Sequence, residues 1–360
     1  MTILLDAAAV ERPKAQPWRG GLARLFSSPL NTALTFLAAL VIVFCLWQFL
    51  RWAVFDAAWS GGSEACQVRA GACWPFVVSN ARLMVFGVYP EAVLWRPAVS
   101  LVLLTAVIVA SMIPAFWSWP LIVAWVAIPA FVCGLLSGVF TETRVSTNAW
   151  GGLPLTLLIW MIAFAGAFVL AVPLALARRS RMGGLRTAIV GAIELVRGVP
   201  MLVALYVSSF IVPMMLPGIE VNAFVSVETA LIFFIASYLA EVVRAGLQAL
   251  PKGQTEAAYA LGLGYWRTNQ LILLPQALRA VIPALVNLGI GLLLSTPLVA
   301  VIGMTDFLSA VREAASHEQE WPRCYTTAYF FAGLVFFTIC FVASRYSRWL
   351  ERRLRASGHA

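Results

Sequence analysis

The sequence predicts an all-α integral membrane protein with about eight transmembrane helices, and three observations carry that prediction. Of 360 residues, 61% are hydrophobic and only 11% charged, whereas a soluble domain carries about 25% charged residues to keep its surface wet. The apolar residues come in runs of roughly the 17–25 residues that a helix needs to cross the hydrocarbon core. The basic residues gather between and beyond those runs. They lie in the N-terminal segment (Arg12, Lys14, Arg19, Arg24), in RRSRMGGLR (Arg178, Arg179, Arg181, Arg186) and in RYSRWLERRLR (Arg345, Arg348, Arg352, Arg353, Arg355).

In chain order the spans centre on 32–54, 98–114, 120–140, 153–176, 188–213, 227–248, 281–303 and 326–344. Short loops rich in Arg and Lys stay in the cytoplasm. Starting inside and alternating places all three clusters and both termini there. The loops with Glu64, Glu91, Glu142, Glu220, Glu313, Glu318 and Glu320 then face outside. The net charge of +9 is therefore a topology signal for a multi-pass membrane protein. It does not indicate nucleic acid, since no recognition module accompanies it. Residues 1–30 are polar, with three prolines, and no cleavable signal is expected. They read as a cytoplasmic segment ahead of an uncleaved first span.

The organisation is two-part. A block over 31–149 holds three spans and a long periplasmic loop, about 56–97. The polar joint TETRVSTNAWGG is loop chemistry. Five spans follow over 150–345, then a basic tail over 346–360. No internal repeat is visible, so the inverted repeats of many secondary transporters are not supported. Cys45, Cys133 and Cys340 fall in spans as packing residues. Cys66 and Cys73 share the outer loop in CQVRAGAC. An oxidising periplasm would bridge them; coincidence is the other reading. No metal site is expected, because His317 and His359 are far from this pair.

Between the sixth and seventh spans stands EAAYALGLGYWRTNQLILLPQA, from Glu256 to Ala277. It reads as helix, turn, helix. Thr255 to Ala258 suit a helix start, with an acid near the positive end of the backbone dipole. Gly262 and Gly264 can take the positive φ of a reversal. A second helix from Tyr265 would end at Pro275. Exposed backbone turns are costly in lipid, so the segment belongs in the cytoplasm or under a partner.

This spacing resembles the EAA loop of bacterial ABC importer permeases at Glu256, Ala257, Ala258, Gly262, Ile272, Leu274 and Pro275. The segments ELVRGVPMLVALY and YLAEVVRAGLQALPKGQ are similar to those of permeases for polar amino acids. The first three spans, the CQVRAGACWPF loop and the basic tail resemble the larger permease subunit of general L-amino-acid importers. The resemblance implies a C-terminal five-helix type I importer core whose loop, 251–277, docks on an ATPase. It further implies two ATPase subunits, a second permease more in keeping with a heterodimer than a homodimer, and a periplasmic binding protein. The cargo would be L-amino acids of broad or polar type, carried across a bacterial inner membrane.

The chain carries no energy source of its own. Its two lysines, Lys14 and Lys252, lie in no phosphate-binding loop, and no nucleophile–base constellation stands out. No cofactor is expected in this chain; ATP and Mg would be bound by the partner ATPases. A self-sufficient secondary transporter or channel is the alternative, and it would transport alone. An enzyme would need a His, Asp or Ser cluster that two scattered histidines do not supply.

Ionisable residues in spans are costly and functional. Glu194 and Arg197, and Glu241 and Arg244, stand at i, i+3 spacing, which puts each pair on one helix face. They line the path or latch its inner gate, or else are local ion pairs holding one helix in register. Gly198 and Pro200 break or bend the fifth span. Asn287, Ser295 and Thr296 either face a substrate or, for the hydroxyls, bond their own backbone. Relatives of this family commonly carry Lys-Asp where this chain has Leu294 and Ser295, followed by Pro297, which puts transferred claims about gating there in doubt.

Overall fold

The computed structural model describes residues 25–357 except 181, 216, 217, 219, 220, 317–320, 322 and 323. Arg12, Lys14, Arg19, Arg24, Arg181, Glu220, His317, Glu318, Glu320 and His359 lie outside the described residues, as does the side chain of Arg355. The chain divides into two compact units, one ending at Trp74 and one beginning at Pro75.

In the first unit, α1 (Pro29–Leu50) starts where Ser28 accepts a hydrogen bond from the Asn31 amide and Pro29 opens the first turn. A Ser cap followed by Pro suits a helix start, since the first amides have no intrahelical acceptor. A π turn, Arg51–Phe55, extends the span. No residue of α1 is buried. A helix apolar on every side is one made for lipid. The loop beyond it closes on itself: Cys66 and Cys73 form a disulfide with Cα atoms 5.4 Å apart. Trp59 stacks on Trp74 at 5.6 Å. Gly71 is required here, because a Cβ would stand 2.4 Å from the Asp56 carbonyl carbon.

The second unit contains α2 (Trp95–Met112), α3 (Trp119–Ser137), α4 (Gly152–Arg178), α5 (Gly183–Gly198), α6 (Met201–Tyr206), α7 (Ala223–Ala249), α8 (Lys252–Ala260), α9 (Tyr265–Thr268), α10 (Leu274–Ser295), α11 (Phe307–Ala315) and α12 (Tyr325–Ser357). Its core is the extensive packing of α4 against α7, with α10 lying on α7. Ala163, Ala167, Ala171 and Ala175 recur every fourth residue of α4, all fully buried. Small residues at that interval let helix backbones approach closely where lipid offers no hydrophobic drive. Helices α2 and α3 form a hairpin that also packs on α4. Arg96 of α2, 1% exposed, donates to the Thr143 carbonyl at 2.9 Å and to the Thr141 hydroxyl. It thereby holds the linker between α3 and α4.

Seven helices are long and apolar enough to cross a membrane among the described residues. The eighth expected span, 188–213, is not one rod. It is α5 followed by Met201–Met215, bent by 103°. Pro200 (φ −59°) lacks an amide and Val199 before it is extended, as a residue preceding proline must be.

Three local expectations are corrected. Helix α8 begins at Lys252, behind Pro251, so Glu256 lies beyond the first turn rather than at the helix start. Gly262 has φ +77°, whereas Gly264 is extended (φ −73°, ψ 167°) and precedes α9. Pro275 does not end the second helix. Tyr265–Ile302 runs on as one span, with a π turn at Asn269–Leu273 just before Pro275, in the first turn of α10. The widened π turn relieves the clash a proline ring makes with the carbonyl four residues earlier.

A candidate coupling hairpin and an ion network

The hairpin between α7 and α10 is built by local chemistry. At the end of α8 the Leu263 amide donates to the Ala258 carbonyl (3.1 Å) and the Gly262 amide to the Tyr259 carbonyl (2.9 Å). These two bonds, with Gly262 left-handed, make the Schellman arrangement that satisfies a helix's last carbonyls. Ala258, Thr268 and Asn269 form the buried inside of the hairpin, and the Asn269 side-chain amide donates to the Tyr265 carbonyl at 2.8 Å. At its base α7 and α10 touch: a Cβ on Gly246 would lie 2.8 Å from the Ala277 carbonyl oxygen.

Of the residues singled out in this segment, Ala258 is buried, Ile272 and Leu274 are half-buried, and Glu256, Ala257, Gly262 and Pro275 are exposed. The hairpin also presents apolar side chains that the spacing argument did not select. Leu261 is 78% exposed, Leu271 68% and Trp266 65%. The same segment exposes Lys252, Gln254, Arg267 and Gln270. Large apolar side chains left exposed on a polar segment point to a surface that another molecule covers.

The four charged candidates do come together, through a fifth residue. Arg244 and Glu241 pair at 2.7 Å within α7. Glu194 and Arg197 make a looser contact of 3.8 Å within α5. Arg178, at the last turn of α4, donates to Glu194 from Nη2 at 3.1 Å and from Nη1 at 3.2 Å. The same Nη1 lies 2.8 Å from Oε1 of Glu241, as a contact of charges without hydrogen-bond alignment. Arg178 and Glu241 are the deepest of the set, with side chains 17% and 16% exposed. Arg197 lies over the Tyr238 ring at 5.2 Å, and Arg244 donates to Gln248, one turn before the hairpin, at 2.6 Å. One guanidinium thus ties α4, α5 and α7 together. Its position in RRSRMGGLR reads as topology only, because its partners lie 16 and 63 positions on.

Pro200 is exposed at the α5–α6 bend. Asn287 is exposed on α10. Ser295 donates to the Gly291 carbonyl and Thr296 to the Leu293 carbonyl, both at 2.8 Å, so both hydroxyls bond their own helix. Leu294 points outward, 54% exposed. Glu228 of α7 escaped the sequence reading: it is 5% exposed, and neither carboxylate oxygen has a hydrogen-bond partner among the described residues. A second acid besides Glu241 in the same 27-residue apolar span was the available signal. Among the described residues there is no metal-binding cluster.

The chain is a polytopic helical membrane protein that carries a polar hairpin between two spans. It belongs to the family of binding-protein-dependent transport system inner membrane components, whose sequence profile matches residues 167–356. The chain is 41% identical to the inner membrane amino-acid ABC transporter permease protein YhdY of Escherichia coli (strain K12), over 91% of this chain and 90% of that one. It is 32% identical to the glutamate/glutamine/aspartate/asparagine transport system permease protein BztC of Rhodobacter capsulatus, over 92% of both. A chain in a crystal structure of an amino acid ABC transporter with histidines is 30% identical. It superposes with a TM-score of 0.49 over 56% of this chain and 92% of that chain.

Proposed function

We propose that this chain forms part of the translocation path of an amino-acid importer and is driven through its hairpin by partner ATPases. The observation that carries the reading is the exposure of Leu261, Trp266 and Leu271 on an otherwise polar hairpin. The names of the relatives supply the cargo class. ATP and Mg are bound by the two ATPase subunits, and a periplasmic binding protein delivers substrate on the opposite side. Both termini lie in the cytoplasm with the hairpin. The core, 150–345, pairs with a second, different permease, and the three-span block, 31–149, precedes it.

In this reading ATPase closure moves α8 and α9. The displacement passes through the Gly246–Ala277 contact and through Gln248 to Arg244, Glu241 and Arg178, and so to the inner ends of α4 and α5. Glu194, Arg197, Pro200 and Asn287 border the path.

The test is purification of the tagged chain in mild detergent, with its companions identified and amino-acid-stimulated ATPase measured after reconstitution. An ATPase and a second permease should co-purify, and loss of the ATPase on Trp266→Ala should abolish stimulation. A chain that comes out alone and transports down an ion gradient without ATP would overturn the proposal in favour of a secondary transporter.

A further inference from the structure

Helix α12 is longer than a membrane needs. Its 33 residues span about 50 Å at 1.5 Å per residue, against a hydrocarbon core of about 30 Å. Its last three turns therefore reach the headgroup region, and they are basic. Arg345, Arg348, Arg352 and Arg353 are exposed there, as is Trp349. Arg353 lies over the Trp349 ring at 5.3 Å, and Tyr346 donates to the Ser111 carbonyl at the end of α2 at 3.2 Å.

Earlier on the same helix runs an apolar groove of about 440 Å³. It lies between α2, α4 and α12 and is lined by Thr105, Ile108, Leu157, Phe331, Leu334 and Thr338 among others. The groove and the basic end share one face. Steps of three or four residues from Leu334 and Thr338 lead through Val342 to Arg345, Trp349 and Arg352. Glu351, the one acid in RYSRWLERRLR, falls on the opposite side of the helix. The Thr338 hydroxyl donates to the Leu334 carbonyl at 2.7 Å, so the groove wall it forms is apolar.

We propose that this face of α12 holds one anionic phospholipid. An acyl chain lies in the groove and the phosphate sits between Arg345 and Arg352, with Trp349 at the interface. The dimensions fit: from Arg345 to Thr338 is about 10 Å along the helix, and one leaflet is about 15 Å deep. An acyl chain anchored at Arg345 therefore reaches the groove. Guanidinium groups match phosphate oxygens in geometry as well as charge, and a ring of Trp favours the headgroup level. Bound there, the lipid braces α12 against α2 and α4, with the same leaflet supplying headgroup and chain.

The full-length chain, purified in mild detergent with whatever subunits accompany it, would be equilibrated with equal phosphatidylglycerol and phosphatidylcholine. Retained lipid would be counted by native mass spectrometry. The wild type should favour phosphatidylglycerol by about tenfold or more, since each basic residue near an anionic surface contributes about fivefold. Arg345→Gln with Arg352→Gln should bring the preference close to one while lipid is still retained. Thr338→Trp, which fills the groove, should lower retention of both lipids. Equal retention by the wild type, or an unchanged preference in the double variant, would overturn the assignment. So would loss of the preference in millimolar inorganic phosphate, which would mark a free-anion site instead.

Discussion

Nη1 of Arg178 lies 2.8 Å from Oε1 of Glu241, joining the end of α4 to α7 across 63 positions of sequence. Each partner has a second obligation: Arg178 also holds Glu194, and Glu241 also holds Arg244. Removing Arg178 would leave each acid only the arginine of its own helix and would cut the charged link between α4, α5 and α7. Three guanidiniums face two carboxylates, so no acid in the set lacks a cation.

Arg178→Gln should cut uptake about tenfold or more at unchanged membrane abundance, and Arg178→Lys should recover only part, because a point charge cannot serve two carboxylates as a fork does. A double-mutant cycle of Arg178→Gln and Glu241→Gln should give a coupling energy of about 1–2 kcal/mol. Additive effects in thermal unfolding would show that the two residues do not act together.

Gly262 has open space around it, so a side chain there meets no neighbour and the cost is conformational alone. Gly262→Ala should weaken the hairpin by about 1–2 kcal/mol through the left-handed backbone, and Gly262→Asn by less. Gly262→Pro should leave the chain inserted and uncouple uptake, since proline cannot adopt positive φ. Normal uptake by Gly262→Pro at normal abundance would remove the coupling role.

Leu261 and Trp266 are exposed and support little of the fold. Leu261→Asp and Trp266→Ala should therefore leave the thermal midpoint of the detergent-purified chain within a degree or two. Both should reduce co-purified ATPase several-fold, as truncated interface anchors do. A lowered midpoint with full ATPase retention would assign these residues to folding instead.

Cys66 and Cys73 should resist maleimide in intact membranes until reductant is added. Breaking the bridge releases a short loop and should cost about 2 kcal/mol of local stability, read as faster proteolysis between Asp56 and Trp74. Immediate labelling without reductant would show that the thiols are not bridged.

Glu228 offers a test of the opposite sign. A buried carboxyl without a partner costs stability, so Glu228→Gln should hold or raise the thermal midpoint, and Glu228→Leu should do the same. A drop of several degrees in both would reveal a partner that the carboxyl requires.

The hairpin was legible in the sequence because its fold is local. Gly262 donates to Tyr259 and Leu263 to Ala258, all within six residues, and the polar stretch stands out against apolar neighbours. Even there the details were tertiary. The π turn at Asn269–Leu273 keeps the helix running through Pro275, and no residue spacing announces it. The i, i+3 ion pairs were legible for the same reason as the turn. That Arg178 joins them was not, because a charge at a span's end serves topology equally well.

What the sequence by itself determined is the membrane class, the span order and the hairpin with its glycine turn. Each depends on composition or on contacts a few residues apart. What only the tertiary structure decided is which spans touch, that the fifth bends by 103°, and that one arginine unites three helices. It also decided that the basic end of α12 continues the face of an apolar groove. In lipid nearly every span is equally apolar, so hydropathy cannot say which face meets which. That choice belongs to close packing of small residues and to the few buried charges, and both take effect only once distant segments have been brought together.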